Sequence, residues 1–453
     1  MPQISIPGSL IPSIPGVTEP LSSNAPPLPV LQLPTPPLPE PNPGWEQHIS
    51  DIKPKKIGYF WTASGDNEHA DFLATYSLDD DTFGQLVWVT TVPTSGNSPH
   101  HLGPSLDGKE LWGGGLLSLL KTQDTGFFFN TEDPYRPTFK HSNRALLASI
   151  ADEVRAKPGG GYYITYMGSA VGTSPGRLVE TDAAGNIIHQ WPEDVEGTLN
   201  ILGEQFSPHG LTVNYDRQIG ITSDFVVPLS ILKPTLGIQH ANTLRLWDLN
   251  THTIINTLTI PEGQGIQDVK FIPNHPEAAA LATAVGPGQV WIIYPYRKDS
   301  SGKQGTVEFL YDLGAKNTVA IYSDITQDAK YAYFTLTTAN HVAALDISDL
   351  SNVKRLDDPN ADQGIIGPHY VKVAPDQKHL LVTDYFVQAG DISVLNTPAD
   401  FKAQWIDINP DGSLHFNRSI DFLGAEAFRG RGGGWPHSSV VFDLTDPEKP
   451  LYY

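Results

Sequence analysis

An all-β chain closed into a seven-bladed β-propeller, with a Pro-rich N-terminal arm, is the architecture this sequence predicts. Three observations predict it. Short β-rich segments recur with turns at Asp107, Asp216, Asn274, Asp328 and Asp376, positions spaced by 109, 58, 54 and 48 residues. The first spacing is two periods, and its missing copy reads Lys157-Pro-Gly-Gly-Gly-Tyr-Tyr-Ile-Thr165. A second set of alternating strands, each ending in Asp, interleaves with the first, which is the period-2 signature of half-buried β-structure. Finally, only 17% of the 453 residues are charged, against about 25% in ordinary globular chains, while 41 Gly and 39 Pro punctuate the sequence. Repeats of roughly 40–60 residues with several strands each are propeller blades, and the length beyond the arm accommodates seven.

In chain order, residues 1–44 carry a Pro every few positions. Proline fixes φ and removes the backbone donor, so this stretch is expected to be an extended arm ahead of a single propeller domain over 45–453. The propeller opens with Phe72-Leu-Ala-Thr-Tyr-Ser-Leu-Asp79, followed by the turn-flanked pair His101–Trp112. Ser142–Arg155, rich in Ala, Leu, Glu and Arg, is the clearest helix candidate and is placed between blades. Arg177–Asp182, His209–Thr222, Thr243–Asp248, Asp268–Asn274, Asp324–Phe334, His341–Asp346 and His369–Thr383 supply further strands. Ser439-Val-Val-Phe-Asp443 matches a mid-blade strand, so the two chain ends are expected to complete one blade together and remove an exposed edge.

Composition narrows the chemistry. With 29 Lys and Arg against 50 Asp and Glu, the formal net charge is −21, which disfavours nucleic acid and anionic membrane surfaces as partners. Cysteine is absent, removing disulfides, thiolate nucleophiles and Cys-held metals; any metal must rest on the 15 His and the carboxylates. No apolar run reaches the roughly 18 residues of a membrane span. The arm lacks the basic and continuous apolar regions of a signal peptide, while the sequon Asn417-Arg418-Ser419 is compatible with a secreted mature chain, so localisation stays open. There is no GxSxG elbow and no HExxH.

Inner strands of a propeller start around one central channel, so residues about 55 apart in sequence become neighbours there. Pro99-His100, Pro208-His209, Pro368-His369 and Pro436-His437 repeat one dipeptide at such starts. His101, His209, His369, Asp268, Asp324 and Arg429 are the expected catalytic residues, with His100, Gln267, Arg431, Trp435 and His437 binding substrate. Imidazoles and carboxylates suit acid–base work or metal ligation. The run Phe428-Arg429-Gly-Arg431-Gly-Gly-Gly-Trp435 is expected to bring backbone and two guanidiniums against an anionic oxygen.

Ala70-Asp-Phe-Leu-Ala-Thr-Tyr-Ser-Leu-Asp79, His100-His101, Thr243-Leu-Arg-Leu-Trp-Asp248 and Ala344-Leu-Asp-Ile-Ser-Asp349 resemble, in order, the selenium-binding protein/methanethiol oxidase family. That resemblance implies a seven-bladed propeller whose channel copper oxidises small thiols, with the family's His-His pair at His100 and His101. The family's HxxH should fall near Leu147–Val154, where this chain reads Ala148-Ser-Ile-Ala-Asp-Glu153, and its late His-Glu appears as Glu426-Ala-Phe-Arg429. With those ligand sources missing, the first expectation is an enzyme with no metal and no cofactor; copper belongs to the alternative. In overall character the chain also looks like the fungal hetero-Diels–Alderases of tropolone–sesquiterpenoid pathways. That likeness implies dehydration of a hydroxymethyl tropolone to a quinone methide and cycloaddition with a polyene such as humulene. The implied partners are then two small molecules, one polar and tropolone-like, the other an apolar polyene. A non-catalytic propeller scaffold is the remaining alternative.

Overall fold

The computed structural model describes residues 47–193, 205–232, 237–387, 397–446 and 449–452. The arm expected at 1–44 lies outside them. The fold is an all-β, seven-bladed propeller. Blade 2 comprises Pro99–Pro104, Glu110–Gly115, Gly126–Asn130 and Thr138–Asn143, written from the channel outward. Blade 3 follows with Ala148–Ala156, Tyr162–Ser169, Arg177–Thr181 and Ile187–Trp191, and blade 4 spans Pro208–Asn214 to Thr253–Thr259. Blades 5, 6 and 7 have inner strands Ile266–Phe271, Ser323–Ile325 and Val371–Val373.

Blade 1 closes the ring. Its inner strand is Gly434–Asp443, which pairs antiparallel with Lys56–Ser64, and Phe72–Ser77 and Leu86–Thr91 continue the sheet outward. The expectation of a blade shared by the chain ends therefore holds, but the late strand is innermost, not mid-blade. It carries His437 into the channel.

Each pair of neighbouring blades buries apolar side chains face to face. Trp61 and Leu73 of blade 1 pack with Leu111 and Phe127 of blade 2, and Trp112 and Phe128 meet Val154 and Tyr166 of blade 3. Ile221 and Leu246 of blade 4 meet Val269 and Ile293 of blade 5. Round the ring, Phe60 and Phe72 pack with Leu381 and Trp405 of blade 7. The large aromatics thus serve between blades, where each fully buried ring is worth roughly 1.5–3 kcal/mol of transfer free energy.

The helix expected over Ser142–Arg155 does not form. Thr138–Asn143 ends blade 2, and Ala148–Ala156 is the inner strand of blade 3. Its residues are good helix formers, but Ala148, Ala151 and Val154 gain a pairing partner in Tyr162–Ser169 and an apolar neighbour in blade 2. Tertiary pairing outweighs a local propensity worth only tenths of a kcal/mol per residue.

Candidate active site

The inner strands share a defect that builds the site. Where strand 148–156 pairs with 162–169, Ile164 faces Val154 but Tyr166 faces Ala151, so Asp152 and Glu153 together oppose Thr165. The same bulge puts His100 and His101 opposite Gly114, His209 and Gly210 opposite Ser223, and Gln267 and Asp268 opposite Thr283. In blade 1, His437 is the extra residue between Pro436 and Ser438. A bulge breaks alternation and re-aims side chains. That is why two consecutive residues, His100-His101 or Asp152-Glu153, both reach the channel.

Hydroxyls from the second strands steady these bulges. Thr165 Oγ1 accepts the Glu153 N–H at 3.0 Å and donates to the His209 carbonyl of the next blade at 2.5 Å. Thr283 likewise accepts from Asp268 and donates to Ile321 at 2.9 Å. Thr335 accepts from Tyr322 N–H and donates to the His369 carbonyl, while Thr383 donates to the His437 carbonyl. Ser438 donates to the His100 carbonyl at 2.5 Å. The imidazoles are therefore held through their own backbones, blade to blade.

His100, His101, His209, His369 and His437 converge, with exposures of 0–1%. His100 stacks on His437 with ring centroids 3.7 Å apart, and His437 lies 4.8 Å from His369. Asp152 Oδ2 is 3.4 Å from His100 Nε2 and 3.3 Å from His209 Nε2. Glu153 Oε1 is 3.3 Å from His101 Nδ1, and the Tyr322 hydroxyl bridges His101 Nε2 at 2.7 Å and His209 Nε2 at 3.2 Å. Among the described residues, both nitrogens of His100, one of His369 and both oxygens of Asp152 are buried with no hydrogen-bond partner, whereas His437 has the Tyr385 and Phe386 backbone within reach. Each such orphan costs roughly 1–3 kcal/mol unless a ligand meets it.

Burial fixes the protonation states. It holds His100, His369 and His437 well below the ordinary imidazole range and His209 down to about 4, although Asp152 opposes the shift at His209. It pushes the Asp152 carboxyl up to about 6 against His209 and His101. Burial alone would raise Glu153 too, yet Arg155, Lys270 and His101 hold it well below the usual carboxylate range. Neutral imidazoles around a carboxylate that lacks a hydrogen-bond donor form a donor set for a transition metal. His100, His101 and His437 offer ligand atoms all within 4.8 Å of one another, as do His100, Asp152 and His209. The residues present fit copper, zinc or iron.

Above the cluster lies an apolar chamber walled by Leu116, Ile150, Met167, Phe225, Val226 and Phe386, with His100 and His209 at its polar end. Its free space is about 50 Å³. Ile150 has φ of +66°, a left-handed conformation that costs a β-branched residue roughly 1–3 kcal/mol and is found where function over-determines the backbone.

The other expected residues lie elsewhere. Asp268 is fully buried, accepting from Ser323 N–H and Oγ at 2.9 and 2.7 Å, so it ties blade 5 to blade 6. Gln267 accepts from Ile321 N–H at 2.6 Å, another tie between these blades. Asp324 faces the opposite mouth of the channel. Arg429 stands exposed and pairs with Glu426 at 2.6 Å. Arg431 is buried between Phe72 and the Ala70 carbonyl, outside the cluster. Trp435 stacks on Phe401 at 5.1 Å. The glycine-rich run serves backbone packing: a Cβ on Gly65 would lie 2.1 Å from the Gly432 carbonyl oxygen. Asp152, Glu153 and Tyr322 were not among the expected site residues. For the first two, the usable signal was position: the consecutive Asp152-Glu153 falls one period after His100-His101.

No family profile and no curated protein matches the sequence. Among solved structures the chain resembles a hypothetical selenium-binding protein from Sulfolobus tokodaii, with TM-score 0.66 and 16% identity over 86% of this chain and 94% of that one. It also resembles the periplasmic gluconolactonase of Pseudomonas aeruginosa, with TM-score 0.56 and 13% identity over 85% and 98%. A putative 6-phosphogluconolactonase from Bacteroides fragilis gives 0.53 and 13% over 81% and 95%. At such identities the shared property is the propeller fold. Among the described residues, no helix is long and apolar enough to cross a membrane.

Proposed function

We propose that the chain is a small-molecule enzyme whose centre is the His100–His101–Asp152–His209–His437 cluster with a transition-metal ion bound. The observation that carries this reading is the set of buried imidazole and carboxylate atoms from four blades that lie within 4.8 Å of one another in two overlapping groups, many of them without a hydrogen-bond partner among the described residues. This revises the metal-free expectation, because Asp152 stands where the HxxH was missed. A bound ion would polarise an oxygen- or sulfur-bearing group and, for copper or iron, support one-electron chemistry.

The protein's own groups have separate tasks. Glu153, kept ionised by Arg155 and Lys270, orients His101 through Nδ1, the outer-shell arrangement that fixes an imidazole's tautomer. Tyr322, whose phenol burial raises well above its ordinary value, keeps its proton and stands within hydrogen-bond distance of both His101 Nε2 and His209 Nε2.

Dehydration and cycloaddition at a metal-free cluster is a second reading, favoured by the almost wholly apolar wall. Size weighs against it. At roughly 10–15 Å³ of such space per water, about 50 Å³ takes a few small-molecule atoms, and a tropolone beside a sesquiterpene would require Phe386 or Val226 to move. A small substrate, of the size of a simple thiol or alcohol, suits the free space of the chamber.

Elemental analysis of protein purified without chelator, followed by titration with copper(II) and zinc(II), tests the proposal. Near-stoichiometric binding is expected, and His100→Ala should weaken it about 100-fold or more. Tight binding that survives both His100→Ala and His437→Ala, or none at all in the unaltered protein, would leave the metal-free reading.

A further inference from the structure

The opposite mouth of the channel is a second chamber of about 360 Å³, chemically unlike the first. Its charged lining is Arg155, Lys270, Lys372 and Asp324, three cations to one carboxylate. Asp324 is already engaged, one oxygen accepting Ile325 N–H at 3.1 Å and the other Val373 N–H at 2.8 Å. Arg155 and Lys270 lean inward on Glu153 at 2.6 and 3.3 Å, and Lys270 also reaches Asp268 at 3.2 Å. Among the described residues, Lys372 has no comparable carboxylate contact. Burial lowers its pKa, Asp324 opposes that, and the cationic Lys270 and Arg155 lower it further.

A protein of net charge −21 repels anions over most of its surface, and Arg155 and Lys270 are engaged by Glu153 and Asp268, so Lys372 is the lining cation left to meet an anion at this concave mouth. Apolar walls from Leu106, Val213 and Phe271 surround it. We infer that this chamber is a binding site for a small organic oxyanion, a carboxylate or phosphate ester, seated against Lys372 with its apolar body on those walls. Lys372 donates the charge-assisted hydrogen bonds. Tyr370 lines this chamber and also packs on His101 at 5.1 Å, so it separates the oxyanion from the imidazole cluster.

Calorimetric titration of the full chain with benzoate and with inorganic phosphate, at ionic strength fixed with sodium chloride, tests the site. Saturable binding of at least one anion is expected; which one binds distinguishes carboxylate from phosphate. Lys372→Gln should weaken it about tenfold, the loss of one charged hydrogen bond, and Lys372→Arg should restore most of it. The half-buried Lys372 lies outside the blade interfaces, and circular dichroism melting checks that both variants fold. Metal content should be unchanged in Lys372→Gln, and anion binding should persist in His100→Ala, so this inference and the metal reading fail separately. No saturable binding by either anion, or equal affinity in Lys372→Gln, overturns it.

Discussion

The two ends of one tunnel solve the problem of burying polar groups in opposite ways. At the upper end, five imidazoles and Asp152 are sequestered with many of their atoms unmet, beneath an apolar chamber. At the lower end, Glu153, Asp268 and Asp324 are satisfied by Arg155, Lys270, Ser323 and backbone N–H groups. The lesson is that unmet polarity marks where a ligand belongs, whereas met polarity marks where the ring is held together. Glu153 sits on the boundary and belongs to both.

The sharpest way to break this contrast is Glu153→Gln. It strips a buried carboxylate from two cations, and a loss of about 3–5 kcal/mol in denaturant unfolding is expected, the usual cost of leaving buried charge unpaired. A loss below about 1 kcal/mol would mean that the lower network does not hold the fold. Asp152→Asn should do the reverse. The metal-free variant should be no less stable than the unaltered protein, or steadier by about 1 kcal/mol, because an unpaired buried charge has been removed, while affinity for copper or zinc collapses. Destabilisation without loss of metal affinity would make Asp152 structural and dissolve the distinction. The smallest change in metal affinity should come from Thr335→Val. It removes the hydroxyl between Tyr322 N–H and the His369 carbonyl, for about 1–2 kcal/mol in the same measurement and a few-fold change in metal affinity.

Much of the ring was legible in advance because its signals are repetitive. The Pro-His starts recur in four of the seven blades and the Asp-ended strands in four, and repetition across blades locates the channel even when single segments are ambiguous. Asp152 and Glu153 were hidden because Ala148–Ala156 is composed of helix formers, and only pairing with Tyr162–Ser169 makes it a strand. Asp324 was assigned to the right strand but the wrong depth: two residues along, it faces the lower mouth, while Tyr322 reaches the imidazoles. Arg429 was misplaced because a local Gly-Arg pattern does not reveal whether a turn looks inward, and its Glu426 partner keeps it at the surface.

The closing strand Gly434–Asp443 gives the molecule a timetable. Because it supplies both the last edge of the toroid and His437, a ribosome must release residues through this strand before the fifth imidazole exists in place. Assembly of the imidazole cluster is thereby tied to completion of the fold. A chain cut short before this strand would lose circular closure and one side of the cluster in the same stroke.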